Sequence, residues 1–333
     1  MKIGMIFPGQ GSQFLGMGKE FFDTERTVQE LFDLASNCVD QNFVRLCFAS
    51  SDKELQNTVN AQTSIFLVSA AIYKILREKY NIVPDLVAGH SLGEYTAVFA
   101  ANGINFADAL YLLKKRSLFM DKATEEKPGS MISIIGLPEQ VVVGICARYH
   151  KPEENMVAQV VNFNSPQQLV VSGTLPELEQ IKLDVKALSG KVIPLNVAGA
   201  FHSVLMQDAQ KEFSSYMLKV DFKDLEIPLI NNFQARVIKT ADEVRDSLIE
   251  QLSSPVLWWQ TMLAFREMDV IIQVGPSDKL AKILTREWPD KKIIAINKPE
   301  HIQDLFNLIE KKMPIDLGNN GNNNTDVNGS SEV

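Results

Sequence analysis

Gly89-His90-Ser91-Leu92-Gly93 decides how this chain reads. The pentapeptide follows the pattern G-x-S-x-G, and its flanks supply the strand-to-helix context that the pattern needs. Before it, Ile82-Val83-Pro84-Asp85-Leu86-Val87-Ala88 is short and apolar and reads as a strand. After it, Glu94-Tyr95-Thr96-Ala97-Val98-Phe99-Ala100-Ala101 reads as a helix. The two glycines let the backbone turn sharply without a Cβ clash. A serine on such a turn stands clear of the sheet, beside the positive end of a helix, as a nucleophile able to carry an acyl group.

A serine hydroxyl needs a base to take its proton. The chain holds four histidines, His90, His150, His202 and His301. His90 lies inside the turn and is expected to point away beneath the serine. His150 sits beside Lys151-Pro152 in a surface-loop setting, and His301 opens a late helix. His202 lies in Val197-Ala198-Gly199-Ala200-Phe201-His202-Ser203, a small-residue loop after the strand-like Val192-Ile193-Pro194-Leu195. Loops held on a rigid scaffold are where catalytic residues concentrate, so His202 is the candidate base.

Outward from the turn, the first third alternates helix-like and strand-like segments, as an α/β sheet does. Residues 54–79 contain Ala61 to Ile72, which reads as a helix apolar nearly all round and therefore buried, ending in Lys74, Arg77 and Lys79; residues 106–122 read as an amphipathic helix carrying Arg116. From about residue 130 the order becomes βαββαβ, a split ferredoxin-like pattern. Its strands read over 131–135, 156–162, 168–172 and 191–195, and its helices over 138–149 and 175–188. The expected architecture is a hydrolase-like α/β core with a parallel sheet, made of residues 1–126 and 197–313. A small ferredoxin-like subdomain, 127–196, is inserted into it and roofs a cleft floored by Ser91. In the second half of the core, strands read over 227–230, 270–274 and 293–296, and helices over 241–252, 255–267 and 302–312. Residues 314–333, rich in Asn, Gly and Ser, read as a disordered tail.

A chain of 333 residues suits one large α/β unit plus an insertion. The net charge of −8 argues against a general nucleic-acid binder. No apolar run reads as long enough to span a membrane, and the first nine residues read as a strand and turn rather than a signal peptide. Three scattered cysteines, Cys38, Cys47 and Cys146, read as reduced thiols of a cytoplasmic protein, and no metal-ligand pattern occurs.

The turn is one of several motifs in a fixed order. They are Phe7-Pro8-Gly9-Gln10-Gly11-Ser12-Gln13, Gly89 to Glu94, Arg116, Asn162-Phe163-Asn164-Ser165-Pro166, Gly199 to Ser203, and Gln251-Leu252-Ser253-Ser254-Pro255-Val256. Together they closely resemble the malonyl-CoA:acyl carrier protein transacylases of fatty-acid and polyketide synthesis, over roughly residues 1–310. The resemblance implies Ser91 as the acylated nucleophile and His202 as base and then acid. It implies Gln10 and the Leu92 N–H as the oxyanion hole, Arg116 as the grip on the malonyl carboxylate, and a backbone carbonyl at Gln251 orienting the histidine. Phe201 and Asn162 are implied to contact substrate, Phe201 crowding an α-methyl branch. Malonyl-CoA and an acyl carrier protein are the implied partners, with no cofactor, no metal, no nucleic acid and no membrane, for a monomer.

The roles also make sense residue by residue. Arg presents a planar fork that matches a carboxylate, so without a malonyl carboxylate Arg116 is expected to stand unpaired in a partly dry pocket, at a cost. Two departures stand out: Ser277 follows Pro276 where the family usually has glycine, and the Asn-rich tail has no counterpart. Docking an acidic carrier onto an acidic chain needs a local basic patch, for which Lys74, Arg77, Lys114 and Lys115 are candidates. An acyl hydrolase on the same scaffold, or a non-catalytic docking module, are the alternative readings.

Overall fold

The computed structural model describes residues 1–310. Ten strands run in chain order among these residues: β1 Ile3–Phe7, β2 Leu86–Gly89, β3 Ser130–Ile135, β4 Ala158–Ser165, β5 Gln168–Gly173, β6 Lys191–Pro194, β7 Leu229–Ile230, β8 Val237–Ile238, β9 Val270–Val274 and β10 Lys292–Ile296. Six of them form one sheet in the order β10-β9-β1-β2-β7-β8. It is parallel except for β8, which runs antiparallel on the edge beyond β7. β1, β2 and β9 are buried at every position, which explains their continuous apolar sequences: a parallel sheet is covered by helices on both faces.

The other four strands form a wholly antiparallel sheet, β4-β5-β3-β6. That is the ferredoxin-like order. The helices Glu139–Tyr149 and Leu175–Ala187 pack on it around a separate apolar cluster that includes Ile132, Val142, Ile145, Val171, Ile181 and Val185. The backbone of edge strand β4 is bonded to the larger unit at Val256: Val256 N–H donates to the Val161 carbonyl at 2.7 Å, and Phe163 N–H to the Val256 carbonyl at 3.0 Å.

Three local readings need correction. The segment 82–88 is a strand only from Leu86, because Pro84 has no N–H for a ladder; the chain enters the sheet through Asp85, whose carboxylate accepts from Ile3 N–H at 2.7 Å. The helix read from 255 starts at Trp258, because Val256 is bonded to β4. Finally, Thr58–Glu78 is long and apolar enough to cross a membrane by length and composition, contrary to the sequence reading. In this molecule 83% of its most apolar window is buried by protein, as befits a core helix. The Asn-rich segment 314–333 and the end of the helix read over 302–312 lie outside the described residues.

The parallel sheet sets up the site at the carboxyl ends of its central strands, where open α/β sheets bind ligands. Phe7 of β1 lies in register with Gly89 of β2, so the loops that follow, Pro8-Gly9-Gln10 and His90-Ser91-Leu92, rise side by side. Glycine is required at this crossing. A Cβ on Gly89 would stand 1.9 Å from the Gly93 carbonyl group, and one on Gly93 2.4 Å from the Phe7 oxygen. These obstacles are backbone and cannot swing aside. Gly89→Ala is therefore expected to destabilise the protein by about 3 kcal/mol or more, as a drop in urea midpoint or loss of soluble protein. A midpoint equal to the wild type's would contradict this account of the turn.

Candidate active site

Ser91 carries the strain of the turn itself. Its φ is 52°, in the left-handed region, whereas neither Gly89 nor Gly93 has a positive φ. The glycines of the motif thus serve close packing, and the unusual dihedral falls on the serine. Such a residue costs on the order of 1–3 kcal/mol and persists only when its surroundings hold it. Asn232, just past β7, does the holding. Its Oδ1 accepts from the Ser91 N–H at 2.7 Å and its Nδ2 donates to the Gly89 carbonyl at 2.7 Å, so one side chain spans the turn.

His202 also has a left-handed backbone, with φ 61°. Its Nε2 lies 2.8 Å from Ser91 Oγ, and its Nδ1 lies 2.9 Å from the Gln251 carbonyl oxygen. A carbonyl only accepts, so Nδ1 carries the proton and Nε2 is left to accept from the serine hydroxyl. Burial first, and the nearby Arg116 cation second, hold the imidazole's pKa down to about 3, against the backbone hydrogen bond that raises it. A neutral imidazole is the form that can act as a base. It follows that acylation of Ser91 by an acyl donor without a carboxylate should keep its rate as pH falls through 6.5 and on to about 5. Rapid-quench rates across that range test this; an acid limb at the ordinary histidine value would contradict it.

Arg116, on the helix Phe106–Glu126, is almost fully buried at 1% exposure. Its Nη1 donates to Gln62 Oε1 at 2.6 Å, and its Nη2 to Gln251 Oε1 at 2.9 Å and Ser91 Oγ at 3.1 Å. Its Nε has no partner among the described residues. The expectation that an acyl group without a carboxylate leaves this guanidinium unpaired is therefore wrong: two amide oxygens and a hydroxyl receive it. An uncharged acyl group would leave those bonds intact, so any preference for a carboxylate rests on what the carboxylate adds. Beneath Arg116, Glu94 is wholly buried and accepts from Ser247 Oγ at 2.9 Å, Gln251 Nε2 at 2.7 Å and the Asn232 N–H at 3.2 Å. Burial pushes its pKa up to about 7, although those donors and Arg116 pull the other way.

These groups border a cleft of about 320 Å³. Gln10, Asn162 and Phe201 line it with Ser91 and His202; Asn162 and Phe201 are buried in its wall. Gln10 Oε1 faces Gln62 Nε2 at 3.5 Å, which leaves its own NH2 without an acceptor among the described residues. At the start of the helix Gly93–Ala100, the N–H groups of Gly93, Glu94 and Tyr95 donate to the carbonyls of His90, Ser91 and Leu92. The Leu92 N–H has no acceptor among the described residues. His90 sits in the floor, its Nε2 2.9 Å from Asn164 Oδ1 and its ring edge-on to Trp258. Ser277 lines the cleft with its hydroxyl buried and without a partner among the described residues, and Lys279 beside it donates to the Gly11 carbonyl, tying down the Gln10 loop.

Sequence reading did not find Gln62, Glu94, Asn164 or Asn232 as site residues. The Asn231-Asn232 pair directly after a buried strand was a usable signal, since side chains there face the ligand end of a parallel sheet. The cations chosen as docking candidates are not brought to the cleft. Lys114 donates to the Val39 carbonyl, Lys74 pairs with Glu78, Lys115 lies over the rings of Tyr111 and Tyr216, and neither they nor Arg77 line it.

A serine on a strained turn, a buried histidine within hydrogen-bond reach of it and two available donors form an arrangement suited to acyl transfer. Comparison with known proteins agrees: residues 5–299 match the family model described as an acyl transferase domain. The chain belongs to that acyl transferase family and is an acyltransferase. The malonyl CoA-acyl carrier protein transacylase of Bacillus subtilis (strain 168) is 36% identical over 314 residues, covering 93% of this chain and 98% of the relative. The crystal structure of FabD from Acinetobacter baumannii superposes with a TM-score of 0.88 at 28% identity, covering 94% of this chain and 99% of that one. A malonyl-transacylase in complex with its type II PKS acyl-carrier protein gives a TM-score of 0.88 at 30% identity, covering 92% of this chain and 100% of that one.

Proposed function

We propose that this protein moves a malonyl group from malonyl-CoA to the phosphopantetheine thiol of an acyl carrier protein through a malonyl-Ser91 intermediate. The observation that carries the reading is the buried Arg116 guanidinium, 3.1 Å from the nucleophile's Oγ. An acyl group attached at Ser91 and ending in a carboxylate one methylene away sets its negative charge against that cation. The names of the relatives point the same way.

In the first half-reaction, His202 Nε2 takes the Ser91 proton while Oγ attacks the thioester carbon. Charge on the carbonyl oxygen is met by the Leu92 N–H and the Gln10 amide; a donor of this kind is typically worth about 10²–10³ in rate. The imidazolium that forms keeps its Nδ1–H on the Gln251 carbonyl, in the place where a triad would have a carboxylate. As the C–S bond breaks, His202 returns the proton to the departing CoA sulfur. In the second half-reaction His202 deprotonates the carrier's thiol, whose sulfur attacks the malonyl ester, and the proton goes back to Ser91. Side chains and backbone carry every step of this scheme, so it calls on no cofactor. The Phe201 ring in the cleft wall leaves little room for a branch on the malonyl α-carbon, and Asn162 faces the same space. The buried thiols of Cys47 and Cys146, unreactive and pushed up to about 12 by burial, suit the reducing cytoplasm we assign.

The test is to incubate the protein with malonyl-CoA, record its intact mass, then add phosphopantetheinylated acyl carrier protein and weigh both. A malonyl adduct that forms and then moves to the carrier is the expected result. Free malonate accumulating without carrier loading would make the protein a hydrolase instead.

A further inference from the structure

The side chain of Gln251 touches more of the site than its backbone does. Its Oε1 receives Arg116 Nη2; its Nε2 donates to Glu94 Oε2 and, at 3.0 Å, to the Ser91 carbonyl. A primary amide can sit either way round, and rotation by half a turn exchanges its oxygen and nitrogen. Here its two neighbours leave no choice. Arg116 only donates, and ionised Glu94 only accepts. With Glu94 on one side, the NH2 must face it and the oxygen must face Arg116.

We propose that Glu94 is a positioning residue that acts through the Gln251 amide to fix the direction in which Arg116 donates, and thereby the grip on a substrate carboxylate. This rests on the malonyl reading given above. The bond directions form a closed circuit. Arg116 donates to Ser91 Oγ, Ser91 donates to His202 Nε2, and His202 Nδ1 donates to the Gln251 carbonyl, while the Gln251 side chain holds Arg116. Among the described residues Glu94 is the one carboxylate in contact with that circuit; it shares the Gln251 NH2 with the Ser91 carbonyl, and its own fixing is strong, since Ser247, Asn232 and Gln251 all donate to it. A neutral side chain in its place leaves the Ser91 carbonyl as the weaker, uncharged hold on the NH2 and so lessens the bias on the amide. The NH2 of Gln251 then competes for the Arg116 side, where it repels the guanidinium and turns the fork away from the acyl group.

The prediction separates malonyl from acetyl. The experiment compares rates of Ser91 acylation by malonyl-CoA and by acetyl-CoA in the wild type and in Glu94→Gln, with melting temperature as the check on folding. The malonyl-to-acetyl ratio is expected to fall about tenfold, acetyl transfer losing far less than malonyl transfer. Equal loss for both donors, or an unchanged ratio, overturns the proposal and leaves Glu94 a structural residue. If Glu94→Gln does not fold, the pH dependence of the wild-type ratio decides. Protonation of Glu94 mimics the variant, so the ratio should fall as pH drops through about 7. The charged and titratable groups acting on Glu94 are Arg116, from the Phe106–Glu126 helix, and Tyr95 on its own helix; Gln251, Ser247 and Asn232 packed against it are neutral. Titration of His202 and of the CoA phosphates affects both donors and cancels in the ratio. A flat ratio overturns the proposal. A wild-type enzyme that takes no malonyl at all would instead bring down the functional reading beneath it, a result seen before any variant is made.

Discussion

Ser91→Ala should leave a folded protein that forms no acyl adduct, with acyl transfer down by about 10⁴–10⁶. The loss is expected to be clean because the turn does not depend on the hydroxyl. Asn232 holds the Ser91 backbone N–H and the Gly89 carbonyl, and both bonds survive the substitution. Alanine tolerates the left-handed φ of 52° about as poorly as serine does, so the strain is little changed. Arg116 loses one acceptor but keeps Gln62 and Gln251. The melting temperature should therefore stay within a few degrees of the wild type, and malonyl-CoA should still bind. Intact mass after incubation with malonyl-CoA reads the chemistry; calorimetry reads the binding. A covalent malonyl adduct on the variant would remove Ser91 from its proposed role.

Arg116→Ala should cut kcat/KM for malonyl-CoA by about 10²–10³, as expected when one side of a buried, hydrogen-bonded charge pair is removed. Acetyl-CoA should suffer far less, so the two donors converge. A second effect has a definite sign. Arg116 is one of the causes that hold the His202 imidazole down, after burial. Without the cation the pKa of His202 rises, and the acid limb of acetyl transfer moves to higher pH. It should remain below the ordinary histidine value, because burial persists. Stability should fall as well, since Glu94 loses the nearest compensating charge. Steady-state kinetics with both donors across pH test all of this. Unchanged malonyl kinetics would show that the carboxylate is held elsewhere.

What the sequence revealed and what it hid differ in physical kind. The elbow, the parallel core and the βαββαβ insertion pattern were legible because each is written locally, as a glycine-serine turn between a short apolar run and a helix, or as alternating strand and helix periods. The meeting of Ser91 and His202 at the cleft was legible, since both stand on recognisable loops. The supporting groups were not. Gln62, Glu94 and Asn232 lie on three separate elements and act only because the sheet brings them within hydrogen-bond reach of Arg116 and the turn. No local pattern marks a glutamine in the middle of the buried Thr58–Glu78 helix as anything but a polar interruption. The sequence also misjudged Arg116, whose partners come from residues 54 and 135 positions away. The edge strand β8, two residues long, was too short to leave a periodic signal.

The place of β1 in the sheet bears on how the protein is made. β1 precedes the other nine strands in the chain, yet it lies between β2 and β9, and β9 begins only at Val270. During translation one edge of this fully apolar strand stays open until β9 has left the ribosome. Gln251, on which His202 and Arg116 both converge, arrives almost as late. A nascent chain therefore passes through a long stage in which it can neither shield its first strand nor assemble its chemistry. Slow synthesis or premature termination before residue 270 should yield aggregates and chaperone-bound fragments rather than a smaller working enzyme.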